Sequence, residues 1–117
     1  MKPMKAGVTK AGKGIDNLSW SILGQTYVPK ALTESAFSWH ALLPPGTFVP
    51  PHIHTNQDEF IYVLEGELTY RHGRKLFAMS AGDSLLFDAA VPHGPEKLSK
   101  TPVRYVAVLC YPRNLER

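Results

Sequence analysis

Three residues that can ligate a metal stand close together in GTFVPPHIHTNQDEFIYVLEG, residues 46–66: His52, His54 and, after a short polar turn, Glu59. Side chains of an extended chain alternate between faces, so His52 and His54 point the same way. Two neutral imidazoles and a carboxylate converging on one point suit a divalent first-row ion. No cysteine lies nearby to favour a softer metal. The expectation is one transition-metal ion from the set Fe, Mn, Ni, Co or Zn.

The elements that must position these residues read as short strands. Residues 17–28 (NLSWSILGQTYV) form a strand kinked or bulged at Gly24, and residues 29–34 a connection. In residues 35–43, Phe37, Trp39 and Ala41 alternate with Ser38 and His40, which predicts one buried face. Pro50 and Pro51 hold residues 48–54 open. Residues 59–64 are apolar at both parities, which predicts a strand buried between layers and continued by 67–70. His72-Gly73 predicts a tight turn before a strand at 75–79. A turn at 81–83, a strand at 84–87, a Pro- and Gly-rich loop at 91–95 and a strand at 103–111 (VRYVAVLCY) complete the chain. No stretch repeats apolar residues at i, i+3, i+4 and i+7. Many short strands with Gly and Pro between them predict an all-β sandwich or barrel.

At 117 residues the chain is expected to form one domain. A hydrophobic fraction of 44% is ordinary for a globular protein. No apolar run approaches the length of a membrane span, and no apolar segment follows the first lysines as a secretory signal requires. The single Cys110 excludes an internal disulfide, so the expected location is cytoplasmic. The pI of 9.1 comes from Lys2, Lys5, Lys10 and Lys13. Without them nine basic and ten acidic residues remain, with no basic stripe for nucleic acid. Residues 1–14 read as a flexible basic arm and 15–117 as the domain.

The spacing of these residues resembles the cupin superfamily. Its first motif is a glycine, five residues, His-x-His, three or four residues, Glu, six residues and a glycine. Gly46, His52, His54, Glu59 and Gly66 match it at every spacing. Its second motif runs glycine, five residues, Pro-x-Gly, two residues, His, three residues, Asn. Gly82 and His93 match, whereas Asp88 and Ala90 stand at the Pro and Gly positions and Lys97 at the Asn position. The resemblance spans residues 35–111 and implies a jelly-roll β-barrel with His93 as the fourth metal ligand. Asp58 and Glu59 face opposite ways in a strand, and the motif's spacing to Gly66 selects Glu59. Four protein ligands on an octahedral ion leave two positions for water, substrate or O₂.

The quercetinase-like small cupins that the chain resembles imply a mononuclear metal enzyme of dioxygenase type acting on a small organic substrate, with Glu59 available as a base. A non-catalytic ligand-binding or sensing module, or a cupin isomerase, lyase or decarboxylase, shares the same motif. The resemblance also implies a homodimer, its first strand exchanged onto a partner's sheet. Trp39, Phe77, Phe87 and Tyr105 are candidates to line an apolar pocket. Tyr62 and Tyr70 carry hydroxyls whose direction the sequence leaves open. His40 and His72 are expected outside the ligand set, Asp83 as a turn residue capping backbone amides, and Cys110 as a small buried hydrophobe.

Overall fold

In the computed structural model the chain is described over residues 1–47, 49–54, 57–98 and 100–111, the side chains of Lys97 and Leu98 excepted. Phe48 of the expected extended segment and residues 112–117 lie outside the described residues. After a 3-10 turn at Ile15–Asn17 come nine strands: β1 Trp20–Ile22, β2 Gln25–Leu32, β3 Ala36–Leu43, β4 Asp58–Glu65, β5 Glu67–His72, β6 Lys75–Ser80, β7 Ser84–Asp88, β8 His93–Leu98 and β9 Val103–Cys110. They form a six-stranded sheet ordered β1-β2-β3-β9-β4-β7 and a three-stranded sheet ordered β6-β5-β8, with every pairing antiparallel. The domain is all-β, as its short, Gly- and Pro-punctuated runs predict.

The core lies between the inner faces of the two sheets. Strand parity fills it: Ile61 and Val63 from β4, Val103, Tyr105 and Ala107 from β9, and Leu68 and Tyr70 from β5 are all buried. The expectation that β4 is covered on both faces does not hold. Tyr62 and Leu64 point outward and are exposed, beside Leu86 of β7 at 69% exposure. Among the described residues no second layer covers their side of the large sheet, so apolar composition at both parities did not mean burial at both.

The N-terminal third also differs from expectation. Residues 17–28 are not one kinked strand but a hairpin, β1 and β2, turning at Leu23-Gly24. β2 then continues through Pro29 and bulges between Pro29 and Ala31. Proline is tolerated there because β1 reaches only as far as Tyr27, so no β1 carbonyl awaits an N–H from residue 29. The first fourteen residues, expected as a flexible arm, are tied to the body. Met4 N–H donates to Leu32 O at 2.8 Å, and Lys30 Nζ donates to the carbonyls of Lys10 and Lys13 at 2.9 and 2.8 Å.

Two smaller differences bear on the site. Residues 93–98 form β8 rather than ending a loop; Gly94 and Pro95 hid the strand, which pairs with β5 on one side. The β5–β6 turn is Gly73-Arg74, with His72 still in its strand opposite Lys75. Cys110 is exposed, not buried, at the outer parity of β9. Asp83 takes its expected turn role, accepting from Ser80 N–H at 2.9 Å.

Gly66 sets the corner between β4 and β5, where the chain passes from one sheet to the other. Its φ is +85°, and a Cβ there would sit 2.5 Å from Pro102 O. Both the left-handed backbone and backbone-to-backbone contact exclude a side chain. Gly66→Ala should therefore destabilise the fold by about 2 kcal/mol or more, read as a lower urea midpoint at unchanged m-value.

Candidate metal centre

His52 and His54 lie in the open segment between β3 and β4, with Ile53 between them turned to solvent. Backbone pairing fixes both. His52 and His93 exchange N–H···O bonds in both directions at 2.9 Å, and His54 N–H donates to Ala89 O at 2.7 Å. The segment is thus stitched to the start of β8 and to the β7–β8 loop. Glu59 enters from β4, a strand paired on both sides: it stands opposite Phe87 of β7 and Leu109 of β9. Its parity points it inward, and Asp58 outward.

Candidate ligand atoms of His52, His54 and His93 all lie within 4.8 Å of one another. Glu59 Oε1 is 3.3 Å from His93 Nε2 and 3.8 Å from His54 Nε2. Outer contacts set the imidazole tautomers. His52 Nδ1 donates to Pro50 O at 3.0 Å and His93 Nδ1 to Val91 O at 2.9 Å, which leaves each neutral ring with its Nε2 lone pair free of a proton. Rings pack tightly around them: His52 and Phe87 lie 4.5 and 4.8 Å from the ring of His93.

Glu59 is 2% exposed and His93 0%, yet Glu59 Oε1 and His93 Nε2 have no hydrogen-bond partner. A carboxylate oxygen and an imidazole lone pair 3.3 Å apart repel one another unless a proton or a metal ion stands between them. The donor set of three imidazoles and one carboxylate fits a divalent first-row ion by chemistry as well as by convergence. His54, by contrast, is partly exposed. Burial lowers its pKa, opposed by the Glu59 charge and reinforced by His52 and His93, so it is neutral at neutral pH.

His52, His54 and Glu59 of this group line an open cavity of about 440 Å³, with His93 buried behind them. Trp39 and Tyr105 line it, but Phe77 and Phe87 do not. Phe87 is inward-facing behind the site, where it buttresses His93 and Tyr70. Phe77 stands opposite Tyr70 in β6 and packs on the core. His40 and His72 are also apart from the cluster. His40 is on the outer parity of β3, and His72 Nε2 donates to Asp88 O at 3.0 Å. Asp88 in turn accepts from Ala90 N–H at 2.9 Å, so a side-chain-capped turn stands where Pro-x-Gly is usual.

The sequence left the direction of Tyr70 open and did not single out Gln25 or Tyr27. Tyr70 is buried beside the cluster and hydrogen-bonded to Glu59; burial first, then the Glu59 charge, push its pKa well above the ordinary phenol value. Tyr105, fully enclosed, is likewise held protonated by burial. The Tyr27 hydroxyl donates to buried Gln25. Inward parity in β5 could have pointed Tyr70 at the site, as Tyr105, already a candidate for the pocket, is pointed by β9. Gln25 and Tyr27 could be placed only once the hairpin at Leu23-Gly24 was known.

Two expectations follow. Glu59→Gln replaces an unpartnered carboxylate oxygen with an amide that can donate to His93 Nε2. The metal-free variant should be as stable as the parent or up to about 2 kcal/mol more stable, while its metal affinity falls more than about tenfold. Thermal unfolding with and without added ion separates the two effects. For the metal-free parent, the lowered His54 pKa means that the unfolded chain binds more protons than the folded one just below pH 6.5. Stability should therefore fall as pH drops into that window, and His54→Asn should remove that component from urea midpoints.

The family model for a cupin domain matches residues 39–109. A relative named oxalate-binding protein, from Thermotoga maritima, is 33% identical over 67 residues, which are 57% of this chain and 55% of that protein. The match thus spans little more than half the length of that relative. Among solved structures, TT1209 from Thermus thermophilus has a TM-score of 0.69 at 26% identity, covering 74% of this chain and 83% of that one. A Thermotoga maritima protein titled a predicted oxalate decarboxylase has a TM-score of 0.73 at 23% identity, covering 92% and 100%. The second motif departs at its turn, but the match runs through both motifs and most of both sheets, and the chain belongs to the cupin family.

Proposed function

We propose that this chain is a metal-dependent small cupin of dioxygenase type, in which His52, His54, His93 and Glu59 hold one divalent first-row ion beside a small organic substrate. The observation that carries the reading is the buried contact of Glu59 Oε1 with His93 Nε2, where neither atom has a hydrogen-bond partner. Such an ion supplies Lewis acidity or brings substrate and O₂ together. The chain's own residues do the positioning. Pro50 O and Val91 O hold the rings of His52 and His93, and the Tyr70 hydroxyl holds Glu59. Tyr105 stays protonated and offers a neutral hydroxyl donor near the substrate's polar end. Glu59 is the residue available to accept a proton from a substrate hydroxyl or enol.

A second reading, a non-catalytic binding module, is favoured by the likeness to the relative named oxalate-binding protein. A homodimer belongs to either reading. The exposed apolar side chains Tyr62, Leu64 and Leu86 give the outer face of the large sheet a surface for a second copy.

Elemental analysis of protein purified without chelator should find about one transition-metal ion per chain. His54→Ala should remove most of it and abolish oxygen uptake with the responsive substrate. Uptake that persists in metal-free protein sinks the enzymatic reading. A ligand-dependent thermal shift with no turnover favours the binder. Light scattering during size exclusion should give twice the chain mass at micromolar concentration, and Leu86→Lys should lower it.

A further inference from the structure

The geometry points to a substrate or ligand that is an apolar, ring-bearing molecule with an oxygen donor at one end, rather than a small dianion. The inference rests on the metal centre of the preceding reading for its oxygen end alone; its ring end rests on the cavity wall.

Polarity in the cavity runs in one direction. The floor is polar and buried: Glu59, Gln25, Tyr70 and Tyr105 are all nearly inaccessible, with His52 and His54 beside them. Toward the mouth the wall is apolar and open: Trp20, Ile22, Leu23, Phe37 and Trp39. Among the described lining residues none is Lys or Arg. A ligand therefore enters with its oxygen first and its ring against the wall. Oxalate, with six heavy atoms and two charges, would reach only the floor and leave the wall in water. The donor set also limits the charge it balances: a divalent ion and one carboxylate leave a single net positive charge, which matches a monoanion.

The second observation is independent. Leu23 and Gly24 form a two-residue hairpin turn, with φ of +51° and +83°. Two positive φ values are the mark of a type I′ turn, whose first position favours Asn, Asp or Gly. Leucine carries a steric cost there, and its side chain is 65% exposed, so burial does not offset it. Its side chain is at the cavity rim. A residue that is poor for the turn and poor for solvent becomes favourable when a ligand covers it, and Ile22 beside it is also exposed.

Both tryptophans of the chain, Trp20 and Trp39, line this cavity, so intrinsic fluorescence reports its occupancy. The test loads the full chain with zinc, a redox-silent ion, and measures zinc content on the same sample. 2-Naphthoate, acetate and oxalate are then titrated by calorimetry and by tryptophan emission. 2-Naphthoate should bind at least about tenfold tighter than acetate, and tighter than oxalate, and should change the emission. Leu23→Asn should raise the melting temperature, leave zinc content unchanged and weaken 2-naphthoate about fivefold. Oxalate binding as tightly as 2-naphthoate, 2-naphthoate binding no better than acetate, or an affinity indifferent to Leu23→Asn overturns the inference. A chain that holds no zinc but still binds 2-naphthoate against the tryptophans overturns the metal reading and upholds this one. A chain that holds zinc and prefers oxalate does the reverse.

Discussion

A buried carboxylate facing a buried imidazole nitrogen at 3.3 Å, with no hydrogen bond between them, is the constraint that the rest of the domain must hold in place. An uncompensated buried charge costs several kcal/mol, a large part of a small domain's net stability of about 5–15 kcal/mol. Glu59 cannot escape to solvent because its strand is paired on both sides. His93 cannot rotate away because its Nδ1 is bound to Val91 O and its ring is pressed by Phe87. The imidazoles of His52 and His54 arrive on a segment whose backbone is bonded to the chain around His93. Rigid backbone pairing thus keeps these four side chains together.

How much of this was legible depended on whether the period of two survived locally. Residues 37–41 of β3 alternate, β9 is a continuous run of strand-forming residues, and both strands stand where the sequence put them, within a residue or two. The same rule placed His52 and His54 on one side, Ile53 on the other, and separated Glu59 from Asp58. Where residues break the period for local reasons, the pattern failed. Leu23 at positive φ concealed a hairpin, because leucine is not a turn residue. Gly94 and Pro95 concealed β8, an element that tolerates them because it lies at a sheet edge. Burial was less legible than parity. β4 and Cys110 were read as covered because they are apolar, but which face of a sheet receives a second layer is a property of the whole chain.

The departures from the second motif show the same separation of levels. Asp88 and Ala90 replace the residues that usually shape that turn, yet His93 still reaches the cluster. The Asp88 carboxylate caps Ala90 N–H, and His72 satisfies the Asp88 carbonyl from the neighbouring sheet. Side-chain hydrogen bonds achieve here what proline and glycine achieve through backbone restriction. A motif records one solution to a geometric problem, and a chain can meet the geometry by another.

That distinction bears on where specificity resides. The ligand set is common to proteins of one fold and fixes little about what is bound. Most of the exposed wall comes from β1, the β1–β2 turn and the outer end of β3, positions largely outside the two motifs. The polar end, where the three histidines and Glu59 meet, is held by paired strands and interlocked rings. The wall's exposed part stands on an edge hairpin with a disfavoured residue at its turn. Rigidity at the polar end and local strain at the apolar end are what a site needs if it must orient an oxygen atom closely while drawing its affinity from contacts made only when the ligand arrives.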